Sequence, residues 1–431
     1  MVTKSDPFED PQPAAPQTAG PSLPQLSRKP TRGRVLSARG EQPPPQFTPY
    51  EAEYFLSGGN IVSHDRHLNE DGEALYRFLL SHSQAPPTYL LHFYGDHMES
   101  RMRMVTRTEA NGQTRTEPDI LTTLGDPDFD FSIDVGQSIA SGPVHWSVPD
   151  EEPAYRGKMY EEVDTRTTDT FHAELGVRRK AAKEEIKRAK QWEEEKKATG
   201  LPPWIGPYEG WDGRNPLVDP PAMSVLRSSK TLREWADEYC ASDKLLKEFI
   251  YRKIVYGWQV AGLGAAAVAA VKATYYSGNY KVDFEISNDK IYIRPDNRLS
   301  RTLSNKWIVF LLWILLIYPF IWLYKRFGQR GGGQWKVCGG AYALKSWQLV
   351  DPAFDPPPPF PGTNDWRMTQ TSAGPAKLVG LREGEWFQRW EGTIRRAVSG
   401  RLESKTPLMH PDDAPTSAAI GLDGYQAYHV V

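Results

Sequence analysis

The sequence predicts an α+β protein: a β-rich N-terminal region, a small helix-plus-hairpin unit next to a single transmembrane helix, and disordered tails. Three observations carry this reading. The segment NKWIVFLLWILLIYPFIWLYKRF, residues 305–327, has no charge and no amide or hydroxyl except the two Tyr phenols between Trp307 and Tyr324. Elsewhere, stretches such as DFDFSIDV alternate strictly between apolar and polar residues, the period of a half-buried strand. Finally, 36 Pro and 35 Gly are crowded into a few segments that read as tails and linkers, so the folded part is smaller than 431 residues suggests.

Residues 1–49 are rich in Pro, Gln and Ser without periodicity and read as a disordered tail. They lack an apolar h-region, so no cleaved signal peptide is expected. Residues 50–165 read as a β-rich domain with an N-terminal helix. The helix is opened by HDRHLNEDGEALYRFLL, with Asn69 or Asp71 as cap and Leu75, Phe78 and Leu79 on one face. Two strands joined at Asn111-Gly112 follow, and then Phe129, Phe131, Ile133 and Val135 alternate toward a core. Residues 166–200 read as a charged helix with i,i+4 pairs such as Lys180 with Glu184. Its apolar face is too thin for a coiled coil, which makes it a solvated spacer.

A Pro/Gly linker over 201–230 leads to a juxtamembrane α+β unit over 231–300. There TLREWADEYCASDKLLKEFIYRKIVYGW predicts one or two helices, with Ser242 capping the break. An Ala-rich helix follows, and then a hairpin, YKVDFEIS-ND-KIYIR, with Val282, Phe284, Ile286, Ile291 and Ile293 pointing one way. Beyond the span, 328–380 reads as a flexible Gly/Pro-rich segment, 381–403 as an amphipathic helix and 404–431 as a disordered tail. Trp386, Phe387, Trp390, Ile394 and Val398 share one face of that helix, with Arg389, Arg395, Arg396 and Arg401 on or beside the other. Two readings are open for residues 385–402: a helix making a second contact with the membrane surface, or one docked on its own domain by the same face.

As one straight helix, residues 307–324 would cover roughly 27 Å, close to one hydrocarbon core. Some 12 of them are Leu, Ile, Val or Phe, together favouring insertion by roughly 4 to 7 kcal/mol. Lys306, Lys325 and Arg326 put charge at the ends, and Trp307, Trp322 and Tyr324 supply rings suited to the headgroup zone. Pro319 is tolerated in a span. Residues 254–271 are a weaker candidate because of Gln259 and three glycines, and read as a soluble or membrane-peripheral helix. A single span sets Cys240 and Cys338 on opposite sides of the membrane, where they cannot pair. Flanking Lys and Arg are balanced, so orientation rests on composition: the N-terminal part cytosolic, the tail lumenal.

Chemical signals are sparse. A net charge of −2 implies no nucleic-acid partner. There is no G-x-S-x-G, P-loop or HEXXH, so the sequence assigns no catalytic, cofactor-binding or metal residue. Two patterns come nearest. His64, His67, His82, His92 and His97 cluster near Asp65, Asp96 and Glu99, without the spacing of a metal motif. Gly262-Leu-Gly264-Ala-Ala-Ala267, with Asp283 and Glu285 about 20 residues on, fits the relaxed G-x-G-x-x-A pattern but follows a poor strand signal. The carboxylates Asp126, Asp128, Asp130 and Asp134 read as the wet face of a strand and not a calcium loop. The resulting expectation is a non-enzymatic adaptor or scaffold held on an endomembrane by residues 307–324, with protein partners unspecified. The alternative is a membrane-bound enzyme using the histidines or the glycine turn.

The blocks HDRHLNEDGEALYRFLL, RPDNRLSRTLSNKWIVFLLWILLIYPFIWLYKRF and GLREGEWFQRWEGTIRRAV resemble those of a family of uncharacterised fungal, mainly basidiomycete, proteins with one internal transmembrane helix. The resemblance covers most of residues 60–400. It implies a membrane location and assigns no activity to individual positions.

Overall fold

A computed structural model describes residues 49–108, 114–164, 178–206, 228–350, 367–371 and 374–411. Nearly all of the 1–49 tail, the Asn111-Gly112 turn, most of the 201–230 linker and residues 412–431 lie outside these. In chain order the first elements are β1 (Phe55–Ser57), β2 (Asn60–Ser63), α1 (Gly72–Ser83), β3 (Thr88–Asp96), β4 (Met98–Thr108), β5 (Thr114–Leu124), β6 (Phe129–Asp134) and β7 (Ser141–Ser147). Next come β8 (Arg156–Lys158), β9 (Glu162–Asp164), β10 (Arg178–Lys180), α2 (Lys183–Thr199), α3 (Leu232–Cys240), β11 (Leu246–Tyr256), α4 (Val260–Lys272), β12 (Asn279–Ser287) and β13 (Lys290–Ile293). The last are α5 (Arg298–Ser304), α6 (Lys306–Ile314), α7 (Tyr318–Phe327), β14 (Gly332–Ala343), β15 (Lys345–Leu349), β16 (Met368–Thr371), β17 (Gly374–Gly380) and α8 (Glu383–Ser399). The class is mixed α+β.

The main sheet runs β1-β2-β13-β11-β14-β7, with β8 also on β14. Helices α1 and α3 bury Leu75, Phe78, Trp235 and Tyr239 in one core with Phe249, Ile291 and Val337 of the sheet. Helix α1 starts where Asp71 accepts the Glu73 N–H, and a Thr231/Glu234 capping box starts α3. A second core joins the β12-β3-β6 sheet to α4 and α8. There Phe129, Phe131 and Ile133 are fully buried, as their alternation requires.

The chain departs from the sequence reading at several elements. Residues 246–256 are not helical: β11 is a strand buried along most of its length, and its mix of Phe, Ile, Tyr and Val suits that position. The expected hairpin over 280–293 is split between sheets. Strand β12 pairs with β3, whereas β13 pairs with β11 and β2, the chain turning at Asn288 with φ 55°. Helix α2 begins only at Lys183 and is no free spacer, because Trp192 and Lys196 are buried and Glu193 pairs with Arg252 of β11 at 2.9 Å. It ends at Gly200, whose φ of 74° and closeness to the Trp258 carbonyl leave no room for a side chain.

Residues 328–380 contain β14 to β17 and so are not a flexible segment where they are described. The start of the 404–431 tail runs along β6, with Ser404 N–H donating to Asp130 O and Leu408 N–H to Ser132 O. Helix α8 buries Trp386, Phe387, Trp390, Ile394 and Val398 in the second core, so the face that could have met lipid is already covered. Of the two readings for that helix, docking on its own domain is the one observed.

The single transmembrane helix over 305–327 is replaced by two helices, α6 and α7, bent by 102° at a break of a few residues. Leu316 turns with φ 55°, and Pro319 stands in the first turn of α7, a position that starts helices and does not continue them. Among the described residues no single helix is long and apolar enough to cross a membrane.

Candidate membrane-contacting hairpin and the cavity behind it

The apolar segment projects side chains that no other part of the described residues covers. Trp307 is 81% exposed, Phe320 72% and Leu316 68%, and Phe310, Leu311, Trp313, Ile314, Leu315 and Phe327 are each more than half exposed. Large apolar side chains exposed together mark an interaction surface. At the break the N–H groups of Leu315, Leu316 and Ile317 donate to the Leu311, Trp313 and Leu312 carbonyls at 2.9, 3.1 and 3.0 Å. Internal pairing of these donors lowers the cost of placing the bend in an apolar environment. Trp313 stacks on Tyr318 across the bend at 5.0 Å, and Arg326 lies over the Trp322 ring at 5.5 Å. Asn305 caps α6 by accepting the Trp307 N–H at 3.0 Å.

The hairpin leaves and rejoins the body at one place. Before it, Asn297 Nδ2 donates to Leu245 O at 2.7 Å; after it, Leu245 N–H donates to Arg330 O at 3.0 Å. From there β14 pairs in parallel with β11, starting at Leu246 opposite Gly332. Strand β13, before the hairpin, pairs with the opposite side of β11. The two flanks of the apolar segment are therefore neighbours in one sheet. A single crossing would have set them on opposite sides of a bilayer, as it would Cys240 and Cys338, which instead both contribute to the first core.

Behind the hairpin lies a cavity of about 390 Å³ between α5, α6 and α7 on one side and β11 with Arg294 on the other. Val309, Tyr318, Ile321 and Trp322 form an apolar wall; Glu248, Arg294, Ser304 and Lys325 are polar. Glu248 accepts from Arg294 Nε at 2.7 Å and from Gln334 Nε2 at 3.1 Å. Ser304 Oγ accepts from an Arg294 terminal nitrogen at 3.0 Å and lies 2.9 Å from His64 Nε2 and 3.0 Å from Ser300 O. His64 Nδ1 is 3.0 Å from Pro295 O, which can only accept, so this nitrogen holds the proton and Nε2 is free to accept from Ser304. Burial lowers the His64 pKa, which favours this neutral form. A hydroxyl between a neutral imidazole and a guanidinium is a fixed polar point on the cavity wall.

The residues singled out in the sequence do not converge. His67 is 3.4 Å from Asp71, His82 packs on Phe78, His92 bonds Asp130 at 2.7 Å and His97 bonds Asp128 at 2.8 Å. Among the described residues no group of three His, Cys, Asp or Glu side chains is placed to hold a metal ion. Asp128, read as facing water, is buried and also accepts from the Tyr276 hydroxyl at 2.8 Å. Gly262 and Gly264 lie inside α4 and not in the turn that leads to it, and the Gln259 N–H at its start is taken by the Glu383 carboxylate at 2.7 Å. A phosphate would meet a carboxylate there. Leu245, Arg294 and Ser304 carry no local sequence signal; Asn297 does, as a cap residue three positions before the Ser300 N–H that it accepts.

No protein-family model, curated protein or solved structure matches the chain.

Proposed function

We propose that this is a membrane-anchored protein whose α6–α7 hairpin dips into one leaflet while the whole α+β body stays on one side. The observation that carries this reading is the pairing of both hairpin flanks with Leu245 and β11, together with the exposed apolar surface between them. Each arm fits: 9 and 10 residues at ~1.5 Å per residue reach about 14 and 15 Å, half of a ~30 Å hydrocarbon core. Trp307, Trp322 and Tyr324 near the ends, with Lys325 and Arg326, suit the headgroup zone. An adaptor or scaffold role on a fungal endomembrane is the proposal for the body.

Flotation on phosphatidylcholine vesicles tests the anchor. The full chain should float, and Leu315→Asp with Leu316→Asp should leave it in the soluble fraction, since each charge at hydrocarbon depth costs about 2.5 to 3.5 kcal/mol. In sealed microsomes, protease added outside should reach sites on both sides of the hairpin or neither. Cleavage on one side only would restore the single crossing. A second reading, a membrane-bound hydrolase, is favoured by the Ser304–His64 contact on the cavity wall; failure of a fluorophosphonate to label Ser304 would remove it.

A further inference from the structure

We propose that the cavity behind the hairpin binds the anionic head of one membrane amphiphile, with its chain lying along α6 and α7, and this rests on the membrane reading above. The cavity volume, about 390 Å³, falls within the roughly 300 to 1,000 Å³ usual for small-molecule sites. Its two walls differ in the way an amphiphile does. Val309, Ile321 and Trp322 come from the arms whose outer faces are exposed and apolar, so a chain lying against them passes into the same environment as the hairpin.

The polar lining of the cavity is electrostatically incomplete. Three cations, Lys247, Arg294 and Lys325, line the cavity with a single carboxylate, Glu248. Both Glu248 oxygens are already engaged, one by Arg294 and one by Gln334. Lys247 is held by four backbone carbonyls, those of Asn69, Tyr239, Cys240 and Ser242, at 2.8 to 3.2 Å. Carbonyls solvate an ammonium without cancelling its charge. Lys325 makes no ion pair among the described residues, although it is half-buried where α7 meets Gly332 at the start of β14. Cations beside an apolar wall are costly until an anion arrives. A phosphate or carboxylate head would meet Lys325 and Arg294. A neutral head would leave the imbalance as it is.

The experiment uses the full chain in a neutral detergent, titrated with dodecyl phosphate and read by native mass spectrometry. One dodecyl phosphate should bind per chain, while dodecanol and inorganic phosphate should bind at least tenfold more weakly. Lys325→Glu acts through charge and Ile321→Trp through filled volume; each should weaken dodecyl phosphate at least tenfold and leave the circular dichroism spectrum unchanged. Equal binding of dodecanol would overturn the anionic head, and equal binding of inorganic phosphate would overturn the membrane source. Unchanged binding in both variants would overturn the location. Because the titration is made in detergent, loss of wild-type flotation would count against the anchor alone.

Discussion

His145 shows what burial of a single residue imposes on the folded state. It sits on β7 at 1% exposure, its Nδ1 is 2.8 Å from the Tyr251 hydroxyl, and its Nε2 is buried without a partner among the described residues. Burial lowers its pKa to about 4. Between pH 6.5 and 4 the unfolded chain therefore takes up a proton that the folded chain refuses, and stability falls as pH falls through that window. A shift of this size corresponds to roughly 3 kcal/mol. Urea unfolding at pH 7 and pH 4.5 should show wild type losing about 2 to 3 kcal/mol more than His145→Gln over the same interval. Equal losses would mean that the ring is protonated in the fold. At this scale the sequence was legible where the partner is near and opaque where it is far. Asp71, one of the two caps expected, starts α1, because its target is two residues away, whereas His64 meets Pro295 and Ser304 from 231 and 240 residues off. No spacing rule reaches that distance.

Among elements, the apolar segment was the most legible in extent and the least in shape. Composition gives a hydrocarbon-compatible stretch whether it runs straight or bends, and Pro319 is as acceptable inside a span as at a helix start. Strand β11 was misread because Leu246, Phe249, Ile250 and Ile254 follow helical spacing, while burial on both faces erases the period of two. The β4–β5 ribbon was legible, since its alternation needs no third strand. The two strands pair from Met98 opposite Leu124 to Thr108 opposite Thr114 and with no other named strand. Met98, Met102 and Met104 are exposed on it. A two-stranded ribbon without a covering layer is marginal. Amide hydrogens of β4 should therefore exchange at least 100-fold faster than those in the middle of β14, which lies between β11 and β7; comparable protection, measured by mass spectrometry, would require a cover for the ribbon.

For the whole molecule, the order of the main sheet was not legible, because it depends on pairings between strands far apart in sequence. Its consequence is testable. Since Asn297 and Arg330 both bond Leu245, the body does not need the hairpin to bring β13 and β14 together. Replacing residues 306–324 by a short Gly/Ser linker should leave a cooperatively folded protein that no longer floats with vesicles. Loss of cooperative unfolding by circular dichroism would show that the hairpin holds the body together. The same sheet also fixes a sequence of events at the ribosome. Strands β7 and β11 are made first and lie apart until β14 is inserted between them, antiparallel to the one and parallel to the other. The codons for β14 come directly after those for the apolar hairpin. A nascent chain that has just released the hairpin thus still has two open strand edges, and such edges template wrong pairings. Bilayer capture of the hairpin at that moment would hold the unfinished sheet away from other chains until β14 emerges and closes it.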